Sequence, residues 1–313
     1  MSVSSPPSGA AQSAPIDIRR VRHLFAAPER IAESDFLRRE VAARMHERLA
    51  LVKIRPGAIL DLGCGEGADL AALQQAYADA RIVGLDAAAA MLETARMRQQ
   101  SARSSMKSLM SKWLPAAIAG APARSELVCG DFAQLPFASN AADLIWSNLA
   151  LHWHPQPDRV FAEWRRVLRV DGLLMFSCFG PDTFKELRTA FAAVDPAPHA
   201  LPFVDMHDFG DMLVNAGFST PVMDMETITV TYESAAKLFA DVRAWGGNPL
   251  ANRRRGLLGR NSQRRLIEAV DGMRRPDGRL PLTFEVVYGH AFRPAPRTTS
   301  SGEAVVRFEP RRK

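Results

Sequence analysis

The sequence predicts an α/β fold, a doubly wound and mostly parallel sheet of seven strands, and three observations carry that prediction. Short apolar runs bounded by turn residues recur from residue 58 to residue 178, too short for helices and rich in Ile, Val and Leu. Stretches with helical apolar spacing lie between them, as parallel strands require a crossover. The first run enters a glycine-rich turn, Gly63-Cys64-Gly65-Glu66-Gly67, with a helical stretch behind it, the opening unit of such sheets.

Taken in order, residues 1–15 are Ser, Pro, Ala and Gly with almost no apolar bulk and read as a disordered tail. Between residues 35 and 51, Phe36, Leu37, Val41, Met45 and Leu49 recur at three and four, an amphipathic helix that Pro56-Gly57 breaks. A strand over 58–62, a helix over 69–77, a strand over 81–85 ending at Asp86 and a helix over 87–98 follow. Residues 99–125 are Ser-rich and basic and read as an insert, partly helical around 106–114. Strands are expected at 126–129 and 143–147, a helix at 158–168 ended by Asp171-Gly172, and a strand at 173–178. Later come helices at 206–216, 234–245 and 262–273 and strands near 226–230 and 282–289. Residues 16–180 thus form a core, 181–293 complete it and cap the site, and 294–313 are a basic tail with a strand-like patch at 304–308.

The 313 residues suffice for two domains or for one domain with additions. With 47% hydrophobic and 24% charged residues, the chain has the balance of a soluble globular protein, which excludes collagenous and fully disordered classes. No apolar run reaches the roughly 18 residues of a membrane helix, so no membrane insertion is expected, and no signal peptide is apparent. Cys64, Cys129 and Cys178 form no CxxC pair, which excludes a disulfide framework and a cysteine zinc site. A reducing, cytoplasmic location is expected.

Charge is uneven. Residues 253–313 hold 15 basic and 6 acidic residues, a net of +9, which leaves 25 against 28 and a net of −3 for residues 1–252. A basic C-terminal portion points to an acidic partner, namely nucleic acid, an anionic surface or an acidic carrier protein. The bland alternative is compositional, because Arg outnumbers Lys 34 to 6 throughout.

The glycine turn points to a ribose-bearing cofactor. Glycine is needed where a Cβ would block close approach of ligand to backbone. Asp86 lies 23 residues past Gly63, where a carboxylate accepts hydrogen bonds from both ribose hydroxyls. The turn alone leaves two ligands open. Gly63-x-Gly65-x-x-Ala68 satisfies a dinucleotide fingerprint, and Gly63-x-Gly65-x-Gly67 satisfies the S-adenosylmethionine version. Three features favour the second. Asp61 stands two residues before Gly63, where a diphosphate is repelled and an α-amino group welcomed. Asp131 follows the third strand with Phe132 beside it, suited to an adenine amino group and ring. Residues 147–153, SNLALHW, belong to no dinucleotide pattern.

In order and spacing, LDLGCGEG (60–67), GLDAAAAML (84–92), CGDFAQLPF (129–137) and DLIWSNLALHW (143–153) resemble the class I methyltransferase motif series. The resemblance spans roughly residues 36–180 and implies a seven-stranded Rossmann-like sheet with a C-terminal α/β cap. It implies that Asp61 and Gly63 take the methionine end of S-adenosylmethionine, with Gly65 and Gly67 completing the turn. Asp86 would take the ribose, Asp131 and Phe132 the adenine, and Asn148 would lie near the sulfonium. Beyond this core, DGLLMFSCFGPDTFKELRTAF, VDPAPHALPF, WGGNP and DGRLPLTFEVVYGHAF resemble the malonyl-acyl-carrier-protein O-methyltransferases of biotin synthesis. The helix SDFLRREVAARMHERL is similar to a second family, the mitochondrial complex I assembly factors that hydroxylate a protein arginine. The biotin family carries a tyrosine over the active site ahead of this helix. Here the tyrosines are Tyr77, Tyr232 and Tyr288, and that segment has none.

The first resemblance implies methylation of the free carboxyl of malonyl on an acyl carrier protein. The second leaves an arginine hydroxylase or a non-catalytic assembly factor as alternatives. A malonyl carboxylate, with a reference pKa near ~4, is already ionised at neutral pH, so no general base is required. No His–Asp or Cys–His constellation stands out, and neither a certain catalytic residue nor a metal is expected. His152 and Trp153, where the fourth strand opens onto the substrate, are candidates for the acceptor pocket. Their bland reading is a turn-capping histidine and a packing tryptophan, and His154 and His199 read as loop residues. Arg253-Arg254-Arg255, Arg264-Arg265 and Arg274-Arg275 are suited to docking the acidic carrier, or else form a solvated face. Nucleic acid is not expected, since no binding module appears.

Overall fold

The computed structural model describes residues 15–32, 35–110 and 125–296. The expected tail up to residue 14, the insert from 111 to 124, and the basic tail beyond 296 with its patch at 304–308 lie outside the described residues.

Seven strands form one sheet: β1 (Ala58–Leu62), β2 (Arg81–Asp86), β3 (Glu126–Cys129), β4 (Ala142–Ser147), β5 (Leu168–Phe179), β6 (Ser219–Tyr232) and β7 (Leu280–Phe292), in the order β3-β2-β1-β4-β5-β7-β6. The first five are parallel, and β7 runs antiparallel to both β5 and β6. The helices are α1 (Ile18–Leu24), α2 (Pro28–Ala32), α3 (Phe36–Ala50), α4 (Leu70–Ala76), α5 (Ala89–Met110), α6 (Pro157–Val167), α7 (Lys185–Ala192), α8 (Met206–Asn215), α9 (Ala235–Ala244) and α10 (Arg260–Asp271).

Side chains alternate across the strands, so both faces need cover. Ile59, Leu144, Trp146, Leu173 and Met175 pack with Leu37, Val41 and Met45 of α3. Leu60, Leu62, Ile145, Leu174 and Phe176 pack with Phe161 and Trp164 of α6 and Phe209 of α8. This is why β1 and β4 read as near-continuous apolar runs. At the sheet edge, β6 alternates between half-buried and exposed residues. The chain runs outward from β1 to β2 and β3, then crosses back to β4, so a crevice opens at the carboxyl ends of β1 and β4. The second half of α3 is clipped to the far edge: Arg44 pairs with Glu226 (2.7 Å), and Arg48 pairs with Asp224 (2.6 Å) and lies over the Tyr288 ring. Its first turn is thereby held over the glycine turn.

Two expectations are corrected. Asp171-Gly172 does not end a helix, because β5 starts at Leu168 directly after α6. Asp171, at φ +63°, sits instead where the β4–β5 register shifts between Leu168 and Leu173. The segment from residue 99 to 110 is not separate from its neighbour; it continues α5. The strands after residue 180 join the sheet and complete the expected seven, and α1, α2 and α7, which the periodicity does not mark, are helices.

Gly289 of β7 faces Phe176 of β5 across the ladder, and a Cβ there would enter the Phe176 ring. We expect Gly289→Ala to lose about 1–3 kcal/mol, the usual cost of overpacking. Urea unfolding should show a lower midpoint at unchanged slope. Adding Phe176→Leu should restore part of the loss; strictly additive losses would mean the two sites do not press on each other.

Candidate active site

The turn after β1 is held by the end of β2. The Leu85 carbonyl accepts from both Gly63 N (2.8 Å) and Cys64 N (3.0 Å), and Asp86 Oδ2 accepts from Gly65 N (2.9 Å). Asp86 Oδ1 accepts from Ala88 N (2.8 Å), so each carboxylate oxygen keeps a lone pair for a ligand. Gly63 sits at φ +80°, and a Cβ on it would collide with the Ala150 methyl. Gly67, at φ +73°, serves packing: a Cβ there would press on Leu70 Cδ1 (2.9 Å) and Ala95 Cβ (3.2 Å).

Behind the turn, Asp61 is 2% exposed and its Oδ2 has no hydrogen-bond partner. Burial pushes its pKa well above the carboxylate range, and the nearby Asp69 and Asp86 raise it further. Burial also raises Asp86, against the opposing N–H bonds of Ala88 and Gly65. Asp69 is raised by burial too, while accepting from Trp146 Nε1 (2.9 Å) and Asn148 Nδ2 (3.2 Å). Asn148 also donates to the Arg38 carbonyl (3.1 Å) and accepts from Ser177 Oγ (2.9 Å). Its amide is thus committed to the protein, and Leu149 beside it takes the left-handed φ of +48° with its N–H on Ser177 Oγ. Asp131 accepts from Ala133 N (2.9 Å) and stands 3.5 Å from Arg22 Nη2. Phe132 is edge-on to Trp164.

Gly63, Gly65, Asp86, Asp131, Phe132, Asn148, His152 and Trp153 line one cleft of about 1010 Å³, mouth included. Asp61 lies in an adjoining recess with Cys64 and Asp69, which Gly63, Gly65 and Asn148 share with the cleft. Gly67 lines neither. Reading the sequence missed the roof: Ile18, Val21 and Phe25 cover the cleft, strapped to the loop after α9 by Asp17 N to the Pro249 carbonyl (3.0 Å) and Ala251 N to the Pro15 carbonyl (2.8 Å). The helical spacing of Ile18, Val21 and Phe25 was the available signal. This roof offers the phenyl ring of Phe25, edge-on to Trp153 at 5.3 Å, and no phenol. Arg38 was also missed; it borders both cleft and recess and reaches Asp35 and Glu66. A His–Asp pair does exist, His199 Nε2 to Asp195 Oδ2 at 3.0 Å, away from this cleft. Among the described residues no group of His, Cys, Asp and Glu is arranged to hold a metal ion.

His152 is buried against Trp153, Phe179 and Phe203, and neither ring nitrogen has a partner. Burial pushes its pKa down to about 3, so the ring is neutral at neutral pH. The unfolded chain, with a histidine pKa near ~6.5, then takes up the proton first, and stability falls as pH drops below that value. The slope reaches at most about 1.4 kcal/mol per pH unit for this one group. Urea unfolding of His152→Phe should lose less stability between pH 6.5 and 5 than the parent; equal losses would place the ring in contact with water.

A family profile described as a methyltransferase domain matches residues 60–176. The malonyl-acyl-carrier-protein O-methyltransferase of Laribacter hongkongensis is 46% identical over 299 residues, 94% of this chain and 96% of that protein. The enzyme of the same name from Gallionella capsiferriformans is 44% identical over 294 residues, 93% and 96% of the two chains. Among solved structures, the YcgJ protein of Bacillus superposes with a TM-score of 0.53 at 14% identity over 80% of this chain and 98% of that one, which is a likeness of fold. At such identity and coverage, the chain belongs to the malonyl-acyl-carrier-protein O-methyltransferase family.

Proposed function

We propose that the protein methylates the free carboxyl of malonyl carried on acyl carrier protein, with S-adenosylmethionine as donor, at the start of pimeloyl assembly for biotin. The single observation that carries the cofactor assignment is the buried, unpartnered Asp61 Oδ2 beside a glycine turn clamped by Asp86. A carboxyl oxygen with no donor in reach calls for a ligand that brings one, and an α-amino group does. The donor set fits: Asp61 and Gly63 take the amino-acid end, Gly65 and Asp86 the ribose, and Asp131 and Phe132 the adenine edge and face. Asn148 acts here by holding Asp69 and the α3 backbone in place, and Gly67 by letting α4 and α5 pack on the turn. Residues 16–180 supply this cofactor half, and 181–293 supply the last strands and the acceptor side.

When bound, S-adenosylmethionine supplies an electrophilic methyl on a sulfonium, and transfer to a carboxylate oxygen forms one C–O bond, breaks one C–S bond and releases no proton. The chain therefore needs no base, and burial leaves His152 too weakly basic to serve as one. Its residues align and desolvate: the apolar roof of α1 and the ring of Trp153 keep water from the carboxylate, whose attack cancels charge. The helix over residues 34–49 and the missing tyrosine are the features shared with the arginine-hydroxylase alternative, and the likeness to O-methyltransferases over more than nine-tenths of the chain outweighs them. The reaction is assigned to the cytoplasm; no described helix is long and apolar enough to cross a membrane.

Docking of the acidic carrier is assigned to the basic face, with one revision. Arg253 donates to the Leu250 carbonyl (2.8 Å) and Arg254 pairs with Asp195 (3.0 Å), so both hold loops together. Arg255 and Arg260 are exposed and make no ion pair among the described residues, which leaves them for the partner.

Asp86→Ala should weaken S-adenosylhomocysteine binding by about 1–3 kcal/mol, the cost of a lost charged hydrogen-bonding site. Calorimetric titration reads this directly; unchanged affinity in a folded variant would remove Asp86 from the site, and competition by NAD at similar affinity would overturn the cofactor. Arg255→Ser with Arg260→Ser should raise the KM for malonyl-carrier protein and flatten its rise with salt, since steering is screened over about 8 Å at physiological ionic strength. The kcat, and the KM for malonyl-coenzyme A, should stay near the parent values. Equal loss on both substrates would give these arginines a structural role instead.

A further inference from the structure

Behind the cofactor cleft lies a second chamber of about 930 Å³, and the two share a wall of Trp153, Phe179 and Trp245. The chamber has an aromatic and aliphatic lining that includes Phe184, Leu187, Phe239 and Val242. The two cavities differ in whether carboxylates line them. Asp86 and Asp131 border the cofactor cleft beside Arg22 and Arg38, and Asp35, Asp61 and Asp69 border its recess beside Arg38 and Arg39. No carboxylate lines the second chamber; its polar side chains are His199, Arg243 and Asn248. Two of these are already committed. His199 Nε2 pairs with Asp195 while its ring stacks on Phe191 at 4.0 Å. Asn248 donates to the Pro198 carbonyl (2.8 Å) and accepts from Leu250 N (3.0 Å). Arg243, at the exposed end of α9, has no ion pair among the described residues.

A cavity lined mainly by rings and methyl groups, with one uncommitted guanidinium, suits an extended arm that carries methyl and methylene groups, a few polar groups and an oxyanion. We propose that this chamber is the acceptor channel. The acyl thioester arm lies in it with its reacting end at the wall of Trp153, Phe179 and Trp245, and Arg243 pairs with an oxyanion of the arm. Donor and acceptor thus meet at these shared residues, the donor from the cavity that carries carboxylates and the acceptor from the one that carries none. Two oxyanions are available on such an arm, the phosphate of a phosphopantetheine and the acyl carboxylate itself, and both are met by the same guanidinium chemistry.

This inference rests on the malonyl-methylation reading, and the test separates the two. Initial rates are measured for the parent protein on malonyl-carrier protein, malonyl-coenzyme A and malonyl-pantetheine, which lacks the phosphate. Parent protein inactive on all three would overturn the reaction and this channel with it. With an active parent, Val242→Trp should fill the chamber and raise the KM for all three about tenfold or more, while S-adenosylhomocysteine affinity stays unchanged. Because that variant could fail to fold, Arg243→Glu on the exposed helix end is the second probe, expected to raise the KM about tenfold for the loss of a charge-assisted pair. A rise confined to the carrier protein and coenzyme A forms identifies the phosphate as the partner; a rise on all three identifies the carboxylate. An active parent whose Arg243→Glu and folded Val242→Trp variants keep the parent KM on every substrate would overturn the channel.

Discussion

The last two residues of β2 hold the turn that follows β1. Leu85 offers one carbonyl to two successive N–H groups, of Gly63 and Cys64, and Asp86 takes the next available one, at Gly65. These bonds keep the backbone in left-handed conformations at Gly63 and Gly65 that a side chain would resist. Everything at the site depends on that arrangement. It opens space above Gly63 against the Ala150 methyl, sets Asp86 at the rim, and leaves Asp61 directly behind. The parallel register of β1 on β2, Asp61 opposite Gly84 and Leu62 opposite Leu85, is what brings the two strand ends level.

The electrostatic cost of the arrangement is concentrated in Asp61, Asp69 and Asp86, three carboxyl groups raised by burial and, for Asp61, by each other. Within the protein they are only partly compensated. Asp86 has two backbone donors, Asp69 has an indole and an amide, and the Asp61 Oδ2 has nothing. Arg98 is spent on Glu66, the buried acid of the glycine turn, and Arg38, shared between Asp35 and Glu66, lowers Asp69 and Asp86 without a hydrogen bond to either. A ligand that brings an ammonium and hydroxyl donors therefore completes a network the fold leaves unfinished, which is the physical content of the cofactor assignment. The left-handed Leu149, over-determined by Ser177, is the local strain that accompanies it.

The sheet and the cofactor turn were legible because their signals are local. The ends of β1 and β3 fall where turn residues bound apolar runs, and Asp86 closes β2 at the spacing a ribose requires. The proposed acceptor side was legible only at His152 and Trp153, because the rest is assembled from distant pieces. The roof comes from α1, its strap from residues 249–251, and the shared wall from Trp153, Phe179 and Trp245, three points far apart along the chain. Local periodicity cannot report such meetings. It also misassigned Asp171-Gly172, since a β-bulge and a helix stop draw on the same turn residues. The basic run at 253–255 was visible as charge, yet which arginines are already paired depends on Asp195, some sixty positions away. The His199–Asp195 pair escaped for a different reason: a spacing of four is common, and only the fold stacks His199 on Phe191.

The confinement of carboxylates to the cofactor side bears on catalysis as well as on binding. A sulfonium and a carboxylate attract each other, and in water each would be shielded by its own hydration. Attack of one on the other destroys both charges, so a medium that solvates charge poorly favours the transition state over the separated ions. The wall of Trp153, Phe179 and Trp245, with a neutral His152 packed against two of those rings, provides such a medium at the one place where donor and acceptor meet in the proposed channel. Groups that recognise the charges then belong away from the wall: the carboxylates in the glycine turn and its recess, the guanidinium of Arg243 at the end of α9. An arginine set against the reacting carboxylate would steady the ground state and lose that pairing as the ester forms, which would slow the step it was meant to assist. The phosphate, unchanged by the reaction, is the partner that carries no such penalty.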